Sequence, residues 1–233
     1  MISVVMLNWR RPEQVRVNAV RCAGYKLVSE VIVFTNAGPP LDLSLCPRPA
    51  TQITANYDLG LYSRFAAATL AANECILHLD DDLMVPEDTL KRLYRSWRGD
   101  RAICHSLHGR QTARGYQLEE AFGKVEVVLT RCLMASRQLC AHALTHAHQF
   151  DDLKSEPYGN GEDIILSFTA MKLSGRLNCA YKLPFTEFPA TGAGGRGGPA
   201  VAIHRRWSGH QAHRARVLER CREHFGIKAG ALR

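Results

Sequence analysis

Ile76-Leu77-His78-Leu79-Asp80-Asp81-Asp82 sets an apolar run directly against three adjacent carboxylates. A short apolar run that opens at Cys75 and stops at a polar cluster reads as a buried strand over 75–79. In extended backbone Asp80 and Asp82 project to one side and Asp81 to the other. Carboxylates this close repel by ~1–4 kcal/mol per pair, depending on the local dielectric, and a cation between them would remove the penalty. Their oxygens suit a hard divalent ion, Mn²⁺ or Mg²⁺, which keeps waters and takes its remaining ligands from substrate phosphates. The competing reading is an acidic turn in front of a helix.

Outward from this strand, the chain alternates. Residues 2–7 form an apolar strand ending at Asn8-Trp9-Arg10-Arg11-Pro12, with Pro12 placed to open a helix over 13–23. Residues 30–35 are rich in β-branched side chains and read as a second strand, 51–55 as a third and weaker one. An Ala-rich stretch over 61–72 is helical. Pro86-Glu87-Asp88 starts a further helix, whose Leu90, Leu93, Tyr94 and Trp97 recur at helical spacing. Strands alternating with helices predict an α/β fold with a mostly parallel sheet covered on both faces.

Beyond residue 100 the pattern predicts strands over 102–107, 124–129 and 178–183, and helices over 136–148, after Asn160-Gly161, and over 208–225. The stretch 191–199 is too glycine-rich for either and reads as a loop. The chain therefore divides into a half over 1–100 that ends just after the acids and a half over 101–233.

Net charge is +8, and residues 196–233 account for +7 of it, nine Lys/Arg against Glu219 and Glu223. A basic end on a near-neutral body points to an anionic ligand or to a solvated helix. No stretch approaches the ~20 apolar residues of a membrane span, and no targeting segment is evident. As written, the chain reads as soluble and cytoplasmic, with a Golgi or ER lumen location only for a domain excised from a longer protein. The eight cysteines are dispersed with no Cys-x-x-Cys pair and read mostly as small buried hydrophobes. His142, His146 and His148 lack the further ligand and acid of a zinc enzyme and read as a surface helix.

Two more clusters carry chemistry. Gly161-Glu162-Asp163-Ile164 places both acids in the first turn of a helix, where the dipole favours their ionised forms. That suits Glu162 and Asp163 as bases, nucleophiles or acceptors rather than general acids. His204-Arg205-Arg206-Trp207-Ser208-Gly209-His210, with Arg214, follows the glycine loop. Arginines there can hold a diphosphate, and a neutral histidine such as His210 can complete a metal shell with Asp80 and Asp82.

In their order, the Asn8–Pro12 turn, Tyr62-Ser63-Arg64-Phe65, Asp80–Asp82, Gly161–Ile164 and His210-x-x-x-Arg214 resemble the nucleotide-sugar glycosyltransferases of the GT-A fold. Among these the chain is most similar to the exostosin-like family that polymerises heparan sulfate. The resemblance implies a GT-A, Rossmann-like single domain with an acceptor-binding second half. It also implies a UDP-sugar donor, Mn²⁺ (or Mg²⁺), a glycan or other hydroxyl acceptor, and hexosyl or N-acetylhexosaminyl transfer with retention. On that basis Asp82 is the direct metal ligand, with Asp81 and Asp80 contacting donor sugar or ribose. Asn8, Arg10 and Arg64 lie along the nucleotide, and Asp163 sits near the anomeric carbon. Arg205 or Arg206 approaches the pyrophosphate, with Arg214 beyond. Gly161 departs from the family pattern, which commonly has cysteine before the Glu-Asp pair. The rival readings are an inverting GT-A transferase with Asp163 as base, a metal-dependent nucleotidyltransferase, and a non-catalytic anion or nucleic-acid binder. The last gives no role to Asp80–Asp82 and lacks the interleaved aromatics of single-strand binders, so nucleic acid is not expected as a partner.

Overall fold

The computed structural model describes residues 1–150, 160–188 and 208–232. The first half follows the alternation read from the sequence: β1 (Ile2–Asn8), α1 (Pro12–Ala23), β2 (Val28–Asn36), β3 (Ala50–Ala55), α2 (Ser63–Thr69), β4 (Cys75–Leu79), β5 (Leu83–Met84) and α3 (Glu87–Gly99). Pro12 occupies the first turn of α1, where a missing N–H costs nothing. The second half runs β6 (His105–Ser106), β7 (Gly109–Arg110), β8 (Glu120–Ala121), β9 (Gly123–Val125), β10 (Val127–Val128), β11 (Cys132–Ser136) and α4 (Arg137–His146). It continues with a 3-10 turn (Ala147–Phe150), α5 (Glu162–Ser174), β12 (Asn178–Ala180), β13 (Thr186–Glu187) and α6 (His210–Phe225).

Eight strands form one sheet in the order β3-β2-β1-β4-β11-β6-β12-β9. β11 runs antiparallel to both β4 and β6, and β9 antiparallel to β12, while every other pair is parallel. The sheet is thus mostly parallel, as expected, with helices on both faces. Val4 and Met6 of β1 join Leu77, Leu90, Leu93 and Trp97 in one core, whereas Val5 joins Phe65, Ile76, Phe168 and Leu218 in the other. Burial on both faces explains why these strands read as unbroken apolar runs.

Three sequence expectations change. The strand over 102–107 shrinks to β6, and 178–183 to β12. The run 124–129 splits into β9 and β10, which belong to different sheets, and Glu126 between them forms a largely buried ion pair with Arg222 (3.3 Å). β11 was not expected at all. All eight cysteines are free thiols and six are buried, in keeping with a role as small hydrophobes.

Candidate active site

β4 delivers Asp80, Asp81 and Asp82 to the carboxyl end of the parallel strands, the edge where open α/β sheets bind ligands. Each acid meets a guanidinium. Arg64 of α2 reaches Asp80 at 3.0 Å, and Arg11, just before Pro12, reaches Asp81 at 3.0 Å and Asp82 at 3.7 Å. Arg131, in the turn before β11, lies 3.5 Å from Asp82 and 2.8 Å from Glu187. The Arg131 carbonyl accepts the Asp80 N–H at 2.8 Å, which ties the acidic turn to the antiparallel strand. Burial pushes the Asp81 carboxyl up to about 7, against the pull of Arg11 and with a further push from Asp80 and Asp82. Burial and then repulsion from Asp80 also raise Asp82. Among the described residues Asp82 is the least committed of the three, one third exposed and with no guanidinium closer than 3.5 Å.

The second acidic pair opens α5. Gly161 caps that helix with φ 131°, and a Cβ there would lie 2.8 Å from Val217 Cγ1 of α6. Val217 therefore fills the space a side chain at this position would need, which accounts for glycine where the resemblance expects cysteine. Gly161→Ala combines backbone strain with overpacking, each about 1–3 kcal/mol. We expect a stability loss of ~2–5 kcal/mol by urea denaturation, only part of which Val217→Ala restores. A full restoration would show that the backbone is unstrained.

Glu162 is held by Thr130, whose hydroxyl donates to its Oε1 at 2.9 Å, and lies 3.8 Å from Arg64 Nε. Asp163 accepts the Ile164 N–H at 2.8 Å with one oxygen and Arg214 Nη2 at 2.7 Å with the other. Arg214 is itself buried, donates to Asn160 Oδ1 at 2.5 Å, and stacks 4.6 Å from the centre of the Tyr116 ring. Burial, followed by the neighbouring Asp163, raises Glu162. This tempers the sequence expectation: at Glu162 dehydration and the neighbouring Asp163 work against the ionised form that the helix dipole favours. Burial opposes the charge on Arg64, but Asp80 and Glu162 outweigh it and hold the guanidinium protonated. Arg64 thus joins the strand-end acids to the helix-start acids through one buried side chain.

The other expected residues separate into three groups. Asn8 ends β1, nearly fully buried; its amide donates to Thr35 at 3.2 Å, while its Oδ1 has no hydrogen-bond partner among the described residues. Arg10 turns away from the acids, exposed and lying 4.2 Å from the centre of the Trp9 ring, and Arg11 takes the inward position. His210, at the start of α6, accepts from the Asn160 amide through Nε2 at 2.7 Å, which occupies that nitrogen's lone pair. Among the described residues no three His, Cys, Asp or Glu side chains converge as a metal cage, so His210 is not brought to Asp80 and Asp82. Arg205, Arg206 and the glycine loop lie outside the described residues.

Sequence reading missed Arg11, Arg131, Thr130 and Tyr116. It also took the last helix as solvated or ligand-facing, whereas Arg214 and Arg222 point inward to Asp163 and Glu126. His146 pairs with His224 across α4 and α6 at 3.0 Å, and His142 stays exposed. No helix among the described residues is long and apolar enough to cross a membrane.

Known proteins resemble this chain in part of its sequence and in its fold. The chain is 38% identical over 72 residues to glucosamine inositolphosphorylceramide transferase 1 of Arabidopsis thaliana, a match covering 30% of this chain and 9% of that protein. Its fold resembles that of S. aureus TarS, with TM-score 0.53 and 14% identity over 79% of this chain and 36% of that one. A shorter TarS structure, residues 1–349, gives TM-score 0.50 and 15% identity over 77% of this chain and 56% of that one. The chain thus spans well under two thirds of each of these relatives. Residues 2–227 match the glycosyl transferase family 64 domain. With the matched region running from β1 past the end of α6, the chain belongs to glycosyl transferase family 64 and is a glycosyltransferase of GT-A-like fold.

Proposed function

We propose that the protein transfers a sugar from a UDP-sugar to a hydroxyl of a glycan acceptor, using Mn²⁺ or Mg²⁺ and retaining the anomeric configuration. The observation that carries this reading is Arg64, shared between Asp80 (3.0 Å) and Glu162 (3.8 Å), which assembles both acidic motifs into one site. Support for the metal comes from the chemistry of the donor set. Asp82 and Asp80 offer hard oxygens, Asp82 is the least neutralised, and an open site of one or two carboxylates is what these ions take when substrate phosphates supply the rest. A divalent ion held there supplies Lewis-acid stabilisation of charge on the departing diphosphate.

The chain's own residues do the rest. Asn8 Oδ1, a buried acceptor without a donor among the described residues, takes an N–H or hydroxyl of the nucleotide in this reading. Arg11, Arg64 and Arg131 fix the three acids in place, so their orientation costs little reorganisation when the donor binds. Asp81 and Asp80 face the donor sugar or ribose, Arg11 takes the inward place expected of Arg10, and Arg205 and Arg206 serve the diphosphate. Arg214 and the Ile164 N–H occupy both oxygens of Asp163. Service as a base would require the Arg214 pair to open, whereas a fixed negative charge beside a cationic anomeric carbon requires nothing to move. That favours retention over inversion.

The test is incubation with a panel of nucleotide sugars and Mn²⁺ while nucleotide release is followed. UDP is expected from at least one UDP-sugar, with release suppressed by EDTA. Release that ignores EDTA, or comes only from other nucleotides, would refute the reading. The Arabidopsis relative's name pairs glucosamine with inositolphosphorylceramide, so a hexosamine donor and a glycolipid acceptor belong in the first panel.

A further inference from the structure

A cavity of about 320 Å³ is lined by none of the residues of the acidic cluster. Arg92, Arg95 and Ser96 of α3 form one side of it, and Tyr181 and Leu183, just after β12, form the other. That volume falls within the range of small-molecule pockets, roughly 300–1,000 Å³. Spaced at i and i+3, Arg92 and Arg95 share a helix face. Among the described residues no carboxylate lies within 4 Å of either guanidinium. Lys91 on the same helix, by contrast, pairs with Glu87 and Asp88. Residues 91–101 hold five Lys/Arg against Asp100, a net of +4, and Asp100 is engaged by Arg176 at 2.8 Å.

The facing wall is apolar in effect. His105 Nε2 donates to the Asp100 carbonyl at 2.7 Å, and burial lowers the His105 pKa, so the ring is neutral and its Nδ1 is an acceptor. Tyr181 must then spend its hydroxyl proton on that Nδ1, at 2.9 Å. It offers the cavity a ring beside Leu183. Two guanidinium forks with no carboxylate partner call for a ligand of more than one negative charge, and a tetrahedral dianion neutralises both and has oxygens for each fork. The remaining space, walled by a tyrosine ring and a leucine, has room for a sugar-sized body.

We propose that this cavity is a binding site for a phosphorylated, sugar-sized ligand, separate from the catalytic cluster. The chain from Leu183 reaches Glu187 and Phe188, which touch Arg131 and the Asp82 carbonyl (Phe188 N–H to O, 2.9 Å). Five residues of extended chain span at most roughly 16–18 Å, so a phosphate held by Arg92 and Arg95 lies within one extended acceptor's length of the acids.

Titration calorimetry with glucose 6-phosphate, glucose and inorganic phosphate tests the proposal. Glucose 6-phosphate is expected to bind at least tenfold more tightly than glucose and more tightly than inorganic phosphate alone. Arg92→Gln/Arg95→Gln should erase the preference over glucose, and so should Leu183→Glu, which puts a carboxylate in the cavity. UDP affinity, measured separately, should be unchanged in both variants. Equal binding of glucose and its phosphate, or an undiminished preference in the variants, would overturn the proposal. So would a parallel loss of UDP affinity, which would place the phosphate in the donor site.

Discussion

Replacing Arg64 with methionine is expected to abolish measurable turnover and to lower stability by ~3 kcal/mol, the low end of the cost of breaking a buried ion pair. Methionine keeps the length and the packing but leaves Asp80 and Glu162 without the charge they share. The full cost is not reached for two reasons. Glu162, already raised by burial and by Asp163, can take up a proton, and the Asp80 side chain is 29% exposed and partly hydrated. Urea denaturation gives the stability and nucleotide release gives the turnover. Arg64→Lys restores charge without the fork, so it should recover more stability than activity, because one ammonium cannot reach Asp80, Glu162 and the Thr130 carbonyl, which accepts from Arg64 Nη1 at 3.2 Å, together. A methionine variant with wild-type turnover would show that the two acidic motifs work independently.

Asp163→Asn separates chemistry from binding. The amide can still accept the Ile164 N–H, but it offers no charge to the anomeric carbon, and it leaves Arg214 buried beside a neutral group. Turnover should fall by ~10²–10³ or more, the scale of losing one preorganised electrostatic contact at a transition state. UDP affinity should stay within a few-fold, because Asp163 is held by Arg214 and α5 rather than by the strand that carries Asp80–Asp82. A fall in KM-independent kcat with unchanged nucleotide affinity is the expected pattern. Full turnover at saturating acceptor would remove Asp163 from the mechanism.

Much of this site is written locally in the sequence. β4 and its acids form one contiguous string, and Gly161-Glu162-Asp163 carries its own helix start. Arg64 was accessible through the resemblance rather than through any local pattern. What stayed hidden depends on pairing across the sheet. Cys132-Leu133-Met134-Ala135-Ser136 has no β-branched residue, is buried throughout, and runs straight into α4 at Arg137. Neither periodicity nor composition marks it as a strand, and with β11 unseen the position of Arg131 beside Asp82 was invisible. The exchange of Arg11 for Arg10 has a local cause. The residue before a proline is held out of helical geometry, and Arg11, at φ −128° and ψ 58°, turns back toward the acids while Arg10 stays on the surface with Trp9. Arg214 meets Asp163 only when α6 packs against α5, and Tyr116 reaches Arg214 from the segment before β8, contacts no short motif encodes.

The central claim is that the acids at the end of β4 form a metal-dependent nucleotide site. Calorimetric titration of UDP in Mn²⁺ and in EDTA, on the wild type and on Asp82→Asn, measures it most directly. The account predicts tight binding of UDP to the wild type with Mn²⁺, at least tenfold weaker binding in EDTA, and an Asp82→Asn protein that behaves in Mn²⁺ as the wild type does in EDTA. Equal UDP affinity in both buffers, or an Asp82→Asn variant that keeps the full Mn²⁺ effect, would contradict it.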